Sequence, residues 1–183
     1  MSSVPAYDAP ERLSLKRGED RRLTAGHAWV FSNEVDTDRT PLAAFERGDL
    51  AAVESDRGRF IGYAYVNPHA LICARIVSRD ARQPIDEALL ARRLEAALEL
   101  RRHLNAEAYY RLVYGESDGL PGLVLDRYAD LVVGQIATAG MEALKPLIEQ
   151  AVRAVLSPAG LYWKNDSAAR RQRAPSGNWV PAQ

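Results

Sequence analysis

The sequence predicts an α+β protein built from two small units, and three observations predict it. Short apolar segments broken by turn signals run from Leu13 to Ser78, a helical period replaces them over 85–104, and strand-like segments then return on either side of a second helix. At 183 residues with 47% hydrophobic side chains, the chain is long enough for one large domain or two small ones. Twelve glycines and ten prolines, spread along it, favour several short elements over a helical bundle.

In the first unit the strand candidates are "LSL" (13–15), "AWVF" (28–31), "GDLAAVES" (48–55), "RFIGYAYVN" (59–67) and "ALICARIVS" (70–78). Ser55-Asp56-Arg57-Gly58 has the composition of a tight hairpin turn whose last residue needs positive φ, and Asn67-Pro68 marks the next reversal. Short strands at this spacing point to a small barrel or sandwich. Over 85–104, Leu90, Leu94, Ala97, Leu98 and Leu104 gather on one side of a helix with arginines opposite. Asp86 is placed to cap it, and Ile85 to pack on Leu90 as a staple. This helix is expected to connect the two units.

The second unit reads as three consecutive strands, "YYRLVY" (109–114), "LVLDRY" (123–128) and "LVVGQIAT" (131–138). A helix follows over 142–156, then a strand over 160–166. Pro146 has no N–H to donate, so the first full helical turn is expected to begin near it. The last residues are basic, aperiodic and expected to be irregular.

The chemistry is limited first by what the sequence does not contain. It has no Gly-x-Gly and no Walker A pattern, so no dinucleotide or S-adenosylmethionine cradle is recognisable. His27, His69 and His103 are far apart in sequence, and His69 and Cys73 on one strand would sit roughly 13 Å apart, too far to share a metal. No metal or cofactor is expected to bind. Cys73 lies in the apolar run "LICARIV" and reads as a small buried hydrophobe before it reads as a nucleophile. A lone cysteine excludes an internal disulfide, no apolar run approaches the ~18 residues of a membrane span, and no signal peptide is recognisable. These features lead us to expect a cytoplasmic protein with no membrane partner.

Two stretches remain as candidate sites. In "YGESDGLPGLVLDRYADLVV" (114–133), Gly119-Leu120-Pro121-Gly122 matches the GxxG phosphate-gripping pattern in form, but Glu116 and Asp118 would repel a phosphate. Glu116, Asp118, Asp126 and Asp130 could also serve acid/base or magnesium chemistry. The reading favoured over both is that these residues punctuate a meander of strands. In "LSLKRGEDRRLTAGHAWVFSNEV" (13–35), Lys16, Arg17, Arg21 and Arg22 precede His27, Trp29 and Phe31. Cations neutralise phosphates and aromatic planes stack on unpaired bases, so this is a candidate RNA face. A solvated surface beside core aromatics, with Glu19 and Asp20 offsetting the charge, explains it equally well. With 24 acidic and 24 basic residues, any RNA affinity must be local.

"LKRGEDRRLTAGHAWVFSNEV" followed by "GDLAAVESDRGRFIGYAYVNPHALICARIVS" resembles the N-terminal PUA domain of bacterial RlmI-type methyltransferases, which make 5-methylcytosine in large-subunit rRNA. "YRLVYGESDGLPGLVLDRYADLVVGQIATAGME" with "GLYWKNDSAAR" resembles the middle domain of the same family. The resemblance covers about residues 12–170 and implies the following organisation. Residues 1–11 form a disordered N-terminus, 12–80 a PUA-like small β-barrel that binds RNA, 81–108 a linker helix, 109–167 an α/β middle domain and 168–183 an irregular tail. It implies rRNA as partner, held through Lys16, Arg17, Arg21, Arg22 and His27. It also places Lys164, Asn165, Asp166 and Arg170 near the interface with a catalytic domain that binds S-adenosylmethionine. That domain and its cysteine nucleophile are expected to be missing here, and Cys73 does not match the nucleophile's place. An exposed apolar surface is expected on the side of "GLYWKND", and a homodimer is allowed. The expected function is the RNA-recognition part of a methyltransferase, inactive alone, with a freestanding RNA-binding adaptor as the alternative. A third, weaker reading is a hydrolase using Glu116 and Asp118.

Overall fold

The computed structural model describes residues 11–105 and 107–164, and the backbone of 179–181. The chain divides at Pro84/Ile85 into two compact units.

In unit 1, β1 (Glu11–Ser14), β2 (Trp29–Phe31), β3 (Leu50–Glu54), β4 (Phe60–Val66) and β5 (Ile72–Ser78) form a sheet of order β1-β3-β4-β5-β2. β1 runs parallel to β3, and the other pairings are antiparallel. The chain leaving β2 then returns to the end of β1. Leu15 bridges Val35, the Lys16 amide donates to Glu34 O (2.9 Å), and the Asp36 amide donates to Ser14 O (2.9 Å). These contacts tie the chain just beyond the two edge strands together, although the five strands themselves form an open sheet. Its interior is apolar, with Leu13, Leu15, Leu23, Val30, Val35 and Val53 fully buried. The Ser55–Gly58 turn forms as its composition dictates. Gly58 sits at φ +75°, and the Ser55 hydroxyl accepts from the amides of Arg57 (3.3 Å) and Arg59 (3.1 Å).

Unit 2 opens with α2 (Glu87–Leu104), following the short helix α1 (Asp20–Thr24) of unit 1. The Asp86 carboxylate accepts from the Leu89 amide (2.7 Å), the cap its position predicts. Leu90, Leu94, Ala97 and Leu98 are buried, whereas Leu104, the last residue of the helix, is exposed. α2 packs on α4 (Lys145–Leu156) and on β6 (Tyr109–Tyr114), so by contact it belongs to unit 2, although the sequence suggested a linker.

β6, β7 (Leu123–Tyr128) and β8 (Leu131–Ile136) form an antiparallel meander. A crossover through α3 (Ala139–Ala143) and α4 then places β9 (Gly160–Trp163) parallel to β8. The single helix expected over 142–156 is divided at Leu144, because Pro146 occupies the first turn of α4, where its missing N–H costs nothing. The strand expected over 160–166 ends at Trp163, and the tail expected to be irregular contributes β10 (Trp179–Pro181), antiparallel to β9.

The sheet of order β10-β9-β8-β7-β6 buries one face. Leu123, Leu125, Val132, Ile136, Leu161 and Trp163 alternate inward along its strands. The Trp163 indole lies on Gly134, where a Cβ would come within 2.4 Å of the ring, and its N–H donates to Glu149 of α4 (2.8 Å). The opposite face carries exposed Tyr109, Tyr128, Leu131 and Tyr162 on β6, β7, β8 and β9.

Candidate nucleic-acid interface

The cationic segment of unit 1 is built around α1. Leu23 points into the core and is fully buried, leaving Arg21 exposed on the other side of the helix. Arg17 and His27 are also exposed, and the Lys16 ammonium donates to Asn33 O (2.9 Å) at the surface.

Arg22 behaves differently from its neighbour. Its Nη2 donates to both oxygens of Glu34 (2.7 and 2.9 Å) and to Trp29 O (2.8 Å), and its guanidinium lies 4.8 Å from the centre of the Phe31 ring. Glu34 is only 6% exposed and also accepts from the Phe31 amide (2.8 Å). A buried carboxylate needs such partners, so Arg22 holds the β2 segment together and is not a freely presented cation. The compensation that the sequence suggested for Asp20 goes elsewhere, to Arg59 (2.8 Å).

Trp29 is 40% exposed on β2. Its register partner is Arg75 of β5, which in turn pairs with Tyr65 of β4, so indole, guanidinium and phenol stand in one row across three strands. Arg79, just beyond β5, donates to Leu23 O (2.8 Å) and His27 O (2.7 Å) and so fixes the loop between α1 and β2. Sequence reasoning missed Arg75 and Arg79. The period-2 position of Arg75 in an apolar strand was the available signal, but its pairing with Trp29 depends on long-range register.

Cys73, two positions before Arg75 on β5, is fully buried, and its thiol faces Val30 O (3.5 Å). Burial, reinforced by the Glu34 charge and only partly opposed by a backbone hydrogen bond, pushes its pKa up to about 11. At pH 8 the folded protein is therefore expected to resist a disulfide-exchange reagent that labels the guanidinium-unfolded chain completely. Rapid labelling of the native protein would refute this placement.

In unit 2 two acids of the 114–133 segment, Asp118 and Asp126, are engaged internally. Asp118 accepts a two-point contact from Arg101 (2.7 and 2.7 Å) and a hydrogen bond from the Tyr114 amide (2.6 Å). Asp126 is paired with Arg111 (2.8 Å), and Asp130 is exposed at the β7–β8 turn. The amides of Gly119 and Leu120 donate to Glu116 O and Gly115 O, so they do not form an open phosphate cradle. Among the described residues no group of three or more His, Cys, Asp or Glu side chains is arranged to hold a metal ion. Nor, among them, is any helix long and apolar enough to cross a membrane. Of the expected interface residues, Lys164 is exposed next to β9, with its amide donating to Gly134 O (2.8 Å). Asn165, Asp166 and Arg170 lie outside the described residues.

Comparisons with known proteins bear on both units. A family model described as a PUA-like domain matches residues 13–79. Proteins named ribosomal RNA large subunit methyltransferase I match most of the chain. The one from Cronobacter sakazakii is 34% identical over 88% of this chain and 41% of its own length, and the one from Aliivibrio fischeri is 33% identical over 87% and 40%. The chain thus spans about two fifths of the length of the curated relatives it matches. Among solved structures, one named as a candidate SAM-dependent methyltransferase from Streptococcus mutans has a TM-score of 0.74 at 17% identity, covering 94% of this chain and 43% of that one. Another, a candidate methyltransferase complexed with SAH, has a TM-score of 0.71 at 18% identity, covering 85% and 40%. At these identities the structures establish a shared fold. Residues 13–79 therefore match a PUA-like domain, and over 88% of its length the chain is similar in sequence to part of the proteins named ribosomal RNA large subunit methyltransferase I.

Proposed function

We propose that this chain is the RNA-binding portion of an S-adenosylmethionine-dependent methyltransferase that acts on cytosine C5 of large-subunit rRNA in the cytoplasm, and that it does not transfer a methyl group by itself. The observation that carries this reading is the exposed Trp29 on β2, preceded in the chain by exposed Arg17, Arg21 and His27 and paired in register with Arg75. Lys16, Arg17 and Arg21 neutralise phosphates, and Trp29 and His27 lie against unpaired bases. Arg22 positions the β2 segment through Glu34 and contributes field without direct contact.

The methyl donor does not fit the residues present. The sequence has no Gly-x-Gly, and the amides of Gly119 and Leu120 in the turn after β6 are already taken by backbone carbonyls. No step of methyl transfer is assigned to these side chains. Lys164, exposed next to β9, marks the edge assigned to the donor-binding domain of the family, and the chain is free to self-associate as a homodimer.

A salt titration of RNA affinity tests the reading. An Arg17→Ala, Arg21→Ala chain is expected to weaken binding and to flatten the slope of log K against log salt by about 0.7 for each lost phosphate contact with a single strand. Unchanged affinity and slope would overturn the proposed face.

A further inference from the structure

The phosphate contacts assigned to Lys16, Arg17 and Arg21 leave the guanidinium of Arg75 unused. Arg75 is half-buried in the middle of β5, and among the described residues it makes no hydrogen bond or ion pair through its side chain. Neighbouring cations of unit 1 are engaged, Arg22 on Glu34, Arg59 on Asp20, and Arg79 on Leu23 O and His27 O. No nitrogen of Arg75 is buried without a partner, so its fork of donors reaches solvent. The Ile76 amide donates to Ala28 O (2.8 Å), which makes Ala28 and Ile76 a hydrogen-bonded pair of the β2–β5 ladder. Trp29 and Arg75, one position along, are therefore a non-hydrogen-bonded pair, in which the Cα atoms approach to about 4.5 Å and the side chains lie closest. On the other flank of Arg75, Tyr65 is 1% exposed, whereas Trp29 is 40% exposed. The row is thus closed at the phenol and open at the indole.

We propose that Trp29 and Arg75 form a guanine-reading site, in which a guanine of single-stranded RNA stacks on the indole while the Arg75 guanidinium donates to its O6 and N7. The inference deepens the RNA-binding reading and rests on it. What selects the occupant is the direction of the donors and not the net charge of the surface. A planar fork matches two acceptors set side by side, which in RNA are the O6 and N7 of guanine or two oxygens of a phosphate. Adenine places a donor beside its N7, and the pyrimidines have no N7. The cations assigned to phosphates lie on α1 and in the turn before it. Arg75 instead stands beside the exposed indole of its row, where a stacked base turns its edge toward the fork. A side chain set in the middle of a sheet is held more precisely than one on a loop, as edge reading requires. Guanine inside a duplex has no free face for the indole, so the site takes unpaired nucleotides.

The test uses the full chain and fluorescein-labelled 12-mer oligouridylates that carry one guanosine at the centre, with affinity read by anisotropy. Adenosine in place of the guanosine is expected to weaken binding about tenfold, the loss typical of one bidentate contact. Inosine keeps O6 and N7 and is expected to bind like guanosine, whereas 7-deazaguanosine lacks N7 and is expected to lose most of the preference. These comparisons use the unaltered chain, so a folding defect cannot mimic them. The Arg75→Ala chain is expected to bind the guanosine and adenosine oligomers within twofold of each other, with the salt slope of the parent. Guanosine and adenosine oligomers within twofold of each other on the parent chain, or 7-deazaguanosine equal to guanosine, overturn the site and leave the RNA face intact. So does an Arg75→Ala chain that weakens on every oligomer alike with its slope flattened by about 0.7, since Arg75 is then a phosphate contact. If the Arg17→Ala, Arg21→Ala chain is silent while the guanine preference persists, the phosphate contacts of the face fail and the guanine site stands. A chain that binds none of the oligomers overturns both.

Discussion

Replacing Asp118 with alanine is expected to destabilise unit 2 by about 3–5 kcal/mol, the loss typical of removing one partner from a buried ion pair. The side chains of Asp118 and Arg101 are only 6% and 15% exposed, and their two contacts are both 2.7 Å. The same carboxylate accepts from the Tyr114 amide at the end of β6. Alanine therefore leaves a guanidinium on α2 without its anion and a backbone N–H without its acceptor. Residual access of Arg101 to water places the effect toward the lower end of that range. Denaturant unfolding followed by tryptophan emission in a Trp29→Phe background reports on unit 2, since the remaining indoles, Trp163 and Trp179, both lie there. The exposed Arg111–Asp126 pair serves as the contrast, and breaking it should cost less than about 1 kcal/mol. A loss below 1 kcal/mol for Asp118→Ala would mean that the pair does not hold the 115–122 loop.

That carboxylate also shows where sequence reading stops. Asp118 was open to acid/base, metal and turn-forming roles, and the segment alone could not name its partner, because Arg101 lies 17 residues away on a helix whose docking depends on the folded unit. Local signals carried much further. The Asp86 cap, the Ser55–Gly58 turn and the start of α4 at Pro146 each depend on backbone chemistry within about four residues, and each could be read directly. The aromatic–cationic segment was legible as a composition, but its geometry was not. That Arg21 is presented and Arg22 retained follows from Glu34, and that Trp29 meets Arg75 follows from the β2–β5 register. β10 was hidden for another reason. It is a short edge strand ending in proline, with too few residues to show a period. The open tyrosine face was hidden because "YYRLVY" places aromatics on both sides of the strand, and only the helices packed behind the sheet decide which side is covered.

Glu34 is the position in unit 1 where loss is expected to be largest. Glu34→Ala should lower the stability of this unit by about 2–3 kcal/mol, because it strips Arg22 of its carboxylate and the Phe31 amide of its acceptor, while partial access of Arg22 to water lessens the loss. Arg22→Ala is expected to cost a similar amount from the other side, since it leaves the Glu34 charge buried with a single amide donor. Lysine at position 22 should rescue little, because a compact ammonium on a flexible stem replaces a planar group that reaches both carboxylate oxygens and Trp29 O while lying over Phe31. Hydrogen exchange at the Ile76 amide, bonded to Ala28 O (2.8 Å) where β5 meets the start of β2, reports the opening free energy. An effect below about 1 kcal/mol would refute the assignment. The consequence for RNA binding is specific. Glu34→Ala and Arg22→Ala should both reduce apparent affinity through the fraction folded, while the salt slope of the folded molecules stays that of the parent. Arg17→Ala with Arg21→Ala should change the slope with the fold intact. Glu34→Ala removes an acid, so a purely electrostatic surface would bind RNA more tightly after the change. Weaker binding that persists after correction for the fraction folded, from a chain that has gained net positive charge, would show that the ordered β2 segment, with Trp29 held on it by Arg22, is what the RNA meets.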